Sequence, residues 1–148
     1  MGRRQRIETV QRMMEERRDN ASRALEHRRQ LLDDVGGRLT ELVGYRDEYA
    51  SKMAESAPDL GVNLQDYWRF MGRLNSAIDE HRTRLEQHSL AVEQSLQRWQ
   101  EAQREVAVIE KVIDRLRTRE GQVQDRVEQR LLDEVARSRP LKFAAEEV

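Results

Sequence analysis

The stretch Val92-Glu-Gln-Ser95-Leu-Gln-Arg-Trp99-Gln-Glu-Ala102-Gln-Arg-Glu-Val106-Ala-Val-Ile109-Glu-Lys-Val-Ile113-Asp-Arg-Leu116 decides the fold. Its small and apolar residues recur in alternating steps of three and four, with charged and amide side chains filling most of the gaps. Such steps average 3.5 residues, the period that keeps one stripe of an α-helix turned toward a partner helix. Traced toward the N-terminus the series is Val92, His88, Leu85, His81, Ile78, Leu74, Met71, Tyr67 and Leu64; beyond Leu116 it continues as Glu120, Val123, Val127 and Arg130. No stutter interrupts it. The pattern predicts a helix over about residues 63–137, stopped before Pro140 because a residue preceding proline avoids the α region. A loose tail is expected from about residue 138 to 148.

A second seam lies upstream: Ile7, Val10, Met14, Arg17, Ala21, Ala24, Arg28, Leu31, Val35, Arg38, Leu42, Tyr45, Tyr49 and Lys52, widened by the column Leu25, Leu32, Leu39 and Met53. Gly36 and Gly37 weaken helix propensity by roughly 1 kcal/mol each, but the spacing passes through them unshifted. The predicted helix spans about residues 5–55. It ends at Ser56-Ala57-Pro58-Asp59-Leu60-Gly61, where proline cannot continue a helix and glycine permits a turn. Asn63 suits the N-cap of the second helix, and Asp66 its positive N-terminal end.

Composition agrees with long helices that each bury a narrow stripe. Of 148 residues 37% are hydrophobic, 5% aromatic and 37% charged, and mean hydropathy is -0.93, too thin a core for a compact globule. Disorder is the rival reading of such polarity, and the strict apolar spacing argues against it. With 27 Lys+Arg against 28 Asp+Glu, the balance lacks the basic excess of a nucleic-acid binder. Without cysteine there are no disulfides and no thiolate metal sites. No apolar run follows Met1-Gly-Arg-Arg-Gln-Arg6, so no secretory signal is expected. Arg6 stands where a myristoylation motif wants Ser or Thr, and no segment approaches the ~18 apolar residues of a membrane span. A cytoplasmic protein is expected.

Two such helices joined by a short connection fold back antiparallel, because a parallel pair needs a much longer crossover. The expectation is therefore an all-α, single-domain coiled-coil hairpin covering residues 1–148. With the turn centred near Pro58, residue i should face a residue numbered about 117 − i. The second helix then outruns the first, leaving residues from about 112 to 137 as an unpaired C-terminal overhang.

Candidate chemistry is sparse. His81 and His88 stand two turns, roughly 10 Å, apart on the seam, too far to share one ion, and no Glu-x-x-His pair accompanies them. Polar layers that set pairing register are the simpler reading. There is no phosphate-binding Gly-rich loop and no pocket that two helices could enclose. Catalytic residues, metal ligands and cofactors are accordingly expected to be none, and the protein no enzyme. The aromatics are more informative: Tyr45, Tyr49, Tyr67, Trp68 and Phe70 all flank the turn. Two helices cannot enclose five rings, so aromatic surface is expected on the outside, where it marks an interface. Asp47, Glu48, Glu55, Asp59 and Asp66 make that end acidic. Arg3, Arg4 and Arg6, with Arg115, Arg117, Arg119, Arg126 and Arg130, make the other basic. The overhang carries Ile113, Leu116, Val123, Val127, Leu131 and Val135, a stripe that anticipates a partner.

These features resemble the FliJ family, small coiled-coil proteins of the flagellar type III export apparatus. The carriers are Leu42-x-x-Tyr45-x-x-x-Tyr49, then Phe70-x-x-x-Leu74-x-x-Ala77-Ile78-x-x-His81, the central Trp99, and the ending Glu128-Gln129-Arg130-Leu131-Leu132-Asp133-Glu134. The resemblance covers nearly the whole chain. It implies a non-enzymatic cytoplasmic stalk, peripherally associated with the inner membrane at the flagellar base and similar to the coiled coil of a rotary ATPase γ subunit. The implied partners are the hexameric export ATPase, the linker of the large export-gate membrane protein, and export chaperones. By resemblance the gate-contacting residues are Arg38, Leu42, Tyr45, Tyr49, Phe70, Leu74, Ala77 and His81, with Arg38 departing from the uncharged polar residue expected there. The overhang stripe would meet the ATPase ring. The rival reading is a generic coiled-coil spacer or homo-oligomeric scaffold, in which a second copy covers the overhang. A free chain that is monomeric favours the export reading.

Overall fold

The computed structural model describes residues 2–56 and 64–146. It consists of two helices, α1 (Arg3–Ser56) and α2 (Leu64–Glu146), packed against each other as a hairpin. The expected turn at Pro58 and Gly61 and the N-cap at Asn63 lie outside the described residues. Asp66 occupies the first turn of α2, where the helix dipole favours a carboxylate. Helix α1 passes through Gly36 and Gly37 without a break and with no glycine at positive φ.

Helix α2 does not stop before Pro140 but is helical to Glu146. Proline in a helix removes one hydrogen bond and costs about 3 kcal/mol. The helix is solvated on every side in the turns that lead up to this point, so water can take the carbonyl that loses its partner. The rule that favours a stop is a bias, and here the helix overrides it.

The chain comprises two compact units, Glu16–Gln103 and Met1–Glu15 with Arg104–Val148. Within the first, Leu25, Ile78, Ser95 and Ala102 are buried, Ile78 almost completely. Within the second, Val106 and Ile113 are buried. On α2 every seam residue from Tyr67 to Leu116 is buried or half-buried, and Leu64 lies exposed at the start. On α1 the stripe differs from the expected one. Ile7, Met14, Ala21, Val35 and Leu42 turn inward, whereas Val10, Arg17, Ala24, Arg38, Tyr45 and Lys52 are exposed. The places of those six fall to residues one position on, Gln11, Arg18, Leu25, Leu39, Arg46 and Met53. The column that only widened the sequence pattern thus supplies one of the two rows of the seam, and Leu25 in it is buried. A four-step followed by a three-step fits α1 as well as the reverse order, and only packing against α2 chooses between them.

The register is also displaced. Arg46 Nη1 donates to Asn75 Oδ1 at 3.5 Å, Gly36 lies against Leu85, and Arg4 Nη1 meets Glu120 Oε2 at 3.2 Å. Turn centring at Pro58 would have put these residues opposite Met71, His81 and Ile113. The point midway between Ser56 and Leu64 is residue 60, so each α1 residue meets α2 about one turn farther along. Pairing therefore reaches Glu120, and from Glu120 to Ser138 all of α2 is exposed.

Gly36 and Gly37 can be replaced without strain. A Cβ at Gly37 meets nothing within 4 Å, and one at Gly36 meets Leu85 Cδ1 at 3.8 Å, an ordinary contact. Gly36→Ala and Gly37→Ala should each stabilise the hairpin by about 0.5–1 kcal/mol, through reduced unfolded-state entropy and better helix propensity. Thermal denaturation followed by circular dichroism checks this, and a lowered Tm for Gly37→Ala would contradict the geometry.

Candidate partner-binding surfaces

In the unit Glu16–Gln103, aromatic side chains from both helices form a connected row. Tyr49 of α1 stacks on Tyr67 of α2, with centroids 5.6 Å apart and planes 15° from parallel. The same Tyr49 ring lies 4.7 Å from Phe70 at 54°, and Tyr67 meets Trp68 edge-on at 5.3 Å. Each such pair contributes roughly 0.5–1.5 kcal/mol beyond area burial, so the row braces this part of the hairpin. It remains open to solvent even so: Tyr45 is 65% exposed, Trp68 67%, Phe70 42% and Tyr49 40%. The surface is therefore both structural and unsatisfied.

The eight residues expected at the gate divide into two groups. Arg38, Tyr45, Tyr49 and Phe70 are exposed. Leu42, Leu74, Ala77 and His81 are half-buried between the helices. His81 donates from Nδ1 to the Ala77 carbonyl at 2.9 Å, which fixes its ring along α2. Trp68 belongs to the aromatic row although it stands outside the expected set; its adjacency to Tyr67 was the available signal. Arg46 is drawn inward, bonded to Asp47 and Asn75. Exposed Lys52, Arg69 and Arg73 share this stretch with Glu48, Glu55 and Asp66, so its charge is mixed and the expected acidity of this end is offset. Among the described residues no three His, Asp or Glu side chains are placed to hold a metal ion.

The other surface lies in the unit formed by Met1–Glu15 and Arg104–Val148. Two members of the expected overhang stripe belong to its core instead. Ile113 is only 7% exposed, and it shares a small hollow with Leu116, Ile7 and Arg4. The displaced register accounts for this, because α1 covers α2 as far as Glu120. The remaining four, Val123, Val127, Leu131 and Val135, are about half exposed, and Leu132 joins them at 67%. From Val123 onward the apolar steps are four residues each, and a row of that spacing winds roughly 40° around the helix per step. Val123 and Val127 still fall on the heptad seam, whereas Leu131 and Val135 step off it. The charges are mixed as well. Arg126, Arg130 and Arg137 stand among Asp125, Glu128, Asp133 and Glu134, and the basic cluster of Arg3, Arg4, Arg6, Arg115, Arg117 and Arg119 sits on the paired part. No helix among the described residues is long and apolar enough to cross a membrane.

Residues 3–142 match the family model described as "Flagellar FliJ protein". The flagellar FliJ protein of Salmonella typhi is 27% identical over 135 residues, covering 88% of this chain and 90% of that protein. That of Escherichia coli (strain K12) is 25% identical over 133 residues, with the same coverage. A helical hairpin, an exposed aromatic row, an apolar row past the last interhelical contact and a match over almost the full length together make this chain a member of the flagellar FliJ family, whose proteins serve flagellar export.

Proposed function

We propose that this chain is a non-enzymatic component of the flagellar protein export apparatus, coupling the hexameric export ATPase to the large export-gate membrane protein and escorting export chaperones. It would work in the cytoplasm, peripherally attached to the inner membrane at the flagellar base. The observation that carries the reading is the solvated helix beyond Glu120 with its row Val123, Val127, Leu131 and Val135. Apolar surface held in water forgoes roughly 25 cal/mol for each Å² that a partner would cover. A helix extending past its hairpin mate suits insertion into the opening of a ring. The row's four-residue spacing favours a crossing of about −50° against a helix of that ring, the angle at which i±4 ridges interdigitate. The aromatic row supplies the second contact. Tyr49 and Phe70 of the row, with nearby Tyr45, are positions that family resemblance assigns to the gate, and large half-exposed aromatics are frequent interface anchors.

A scaffold in which a second copy covers the overhang is the competing reading, and the same apolar row favours it. Light scattering separates the two: a monomer at micromolar concentration leaves the row free for the ATPase, whereas a stable dimer occupies it.

Two perturbations test the contacts independently. Tyr45→Ala combined with Phe70→Ala should abolish gate binding and motility while circular dichroism shows nearly unchanged helix content. A collapse of helicity would make these rings purely structural. Deleting residues 121–148 removes only α2 beyond the last interhelical contact, so the hairpin should stay folded but no longer bind or stimulate the ATPase. Full stimulation by the truncated chain, measured as phosphate release, would remove the overhang from the coupling.

A further inference from the structure

A third exposed feature runs along one side of the hairpin in the unit Glu16–Gln103. Leu32 of α1 and Leu85, Ser89 and Leu90 of α2 line a shallow hollow with Glu86 and Glu93 on its rim. One turn farther along α2, Leu96 and Trp99 line a second hollow with Ser22, Leu25, Glu26 and Arg29 of α1. At 100° per residue, the flank of α1 bearing Ser22, Glu26 and Arg29 and the flank of α2 bearing Glu86, Leu90 and Glu93 face the same side of the antiparallel pair. The hollows thus form one groove from Leu85 to Trp99, roughly 20 Å long. Its floor is leucine and the tryptophan. Leu90, on the wall, is 55% exposed with no role in the interhelical seam.

The rim says what would fit. Glu26, Glu86 and Glu93 are exposed and make no ion pair with a described residue, and neither does Asp33, one turn beyond Arg29 on the same flank. The cations on this side are Arg29, Arg23 beside Ser22, and Arg82, which is already 3.7 Å from Asp79. A leucine-floored groove of three to four helical turns with an acid-rich rim is complementary to an amphipathic helix whose apolar stripe is flanked by Lys or Arg. We propose that this groove docks one such basic amphipathic helix of a partner protein, making a local three-helix bundle at the middle of the hairpin. This contact is separate from the aromatic row and from the overhang, and it stands whether or not those surfaces bind the gate and the ATPase.

Trp99 lies in the groove and reports on it. With Trp68→Phe in the full-length chain, Trp99 is the remaining tryptophan. The probe is a synthetic helix of about 14 residues, long enough to span the groove, with leucine at i, i+3, i+4 and i+7 and lysine elsewhere. A matched peptide with glutamate in place of lysine is the control. The lysine peptide should shift Trp99 emission to the blue and saturate, and the glutamate peptide should not. Glu86→Lys with Glu93→Lys, two exposed helix positions, should weaken the lysine peptide about tenfold or more and admit the glutamate peptide. Leu90→Arg, also exposed, should weaken the lysine peptide without lowering helix content. The proposal is overturned if both peptides bind alike, if the double charge reversal leaves the lysine peptide's affinity within about twofold, or if Trp99 does not respond. It is equally overturned if sedimentation shows a dimer of the peptide-free chain that Leu90→Arg abolishes, since a second copy would then be the occupant.

Discussion

Everything in this molecule depends on one narrow apolar stripe of α2 being covered by α1. In a chain with 37% charged residues, neither helix has more than that stripe to bury. An isolated amphipathic helix gains little from propensity alone, so each helix is held chiefly by its mate. The fully buried positions are few, Leu25, Ile78, Ala102, Val106 and Ile113 with Ser95 among them. Small residues at 95 and 102 let the helices approach, and the branched residues fill the space between. No buried polar side chain is left without a hydrogen bond among the described residues, so polar desolvation offsets little of what the stripe contributes.

Register follows from that contact and assigns the remaining surface. With Gly36 against Leu85 and Arg4 against Glu120, the coverage of α2 ends one to two turns later than a turn centred on Pro58 would give. Ile113 and Leu116 therefore serve stability, and the residues from Val123 onward are left over. The tie between Arg4 and Glu120 is itself weak, since both side chains are more than half exposed and a surface ion pair contributes about 0–1 kcal/mol. It marks the limit of pairing more than it enforces it. The change of apolar spacing past Val127 is the stronger sign, because successive four-residue steps leave a heptad seam.

Three surfaces then remain open to solvent: the aromatic row around Tyr49, which also braces the hairpin, the apolar row of the overhang, and the acid-rimmed groove beside Trp99. They differ in chemistry. The first is aromatic, the second aliphatic with mixed charge, the third aliphatic with a carboxylate-rich rim. Unlike surfaces on one scaffold let several partners bind without competing. Long solvated helices suit such work, because each exposed turn offers a different set of side chains without altering the core.

The all-α fold, the two helices and the break between them were legible in the residues. The stripe of α2 from Tyr67 to Leu116 is spaced so regularly that only one helical face can be apolar, and local periodicity alone settles it. Family membership was legible too, because it rests on the order of short runs such as Leu42-x-x-Tyr45-x-x-x-Tyr49. Other features were beyond reach. Which column of α1 forms the seam, Leu25 with Leu32 and Leu39 or Ala24 with Leu31 and Arg38, is undetermined by spacing, since a helix rotated by one residue shows nearly the same periodicity. Trp68 stands among the turn-flanking rings but outside the expected gate residues, and Leu132 falls outside the expected overhang stripe because it stands beside Leu131. The groove beside Trp99 takes shape from side chains some 60 positions apart in sequence, brought together only by long-range pairing. The sequence by itself determined that there are two amphipathic helices and which face of α2 is apolar, because those properties repeat within a few residues. Only the tertiary structure decided the rotation of α1, the register and the surfaces left exposed, because these depend on how one stripe meets the other.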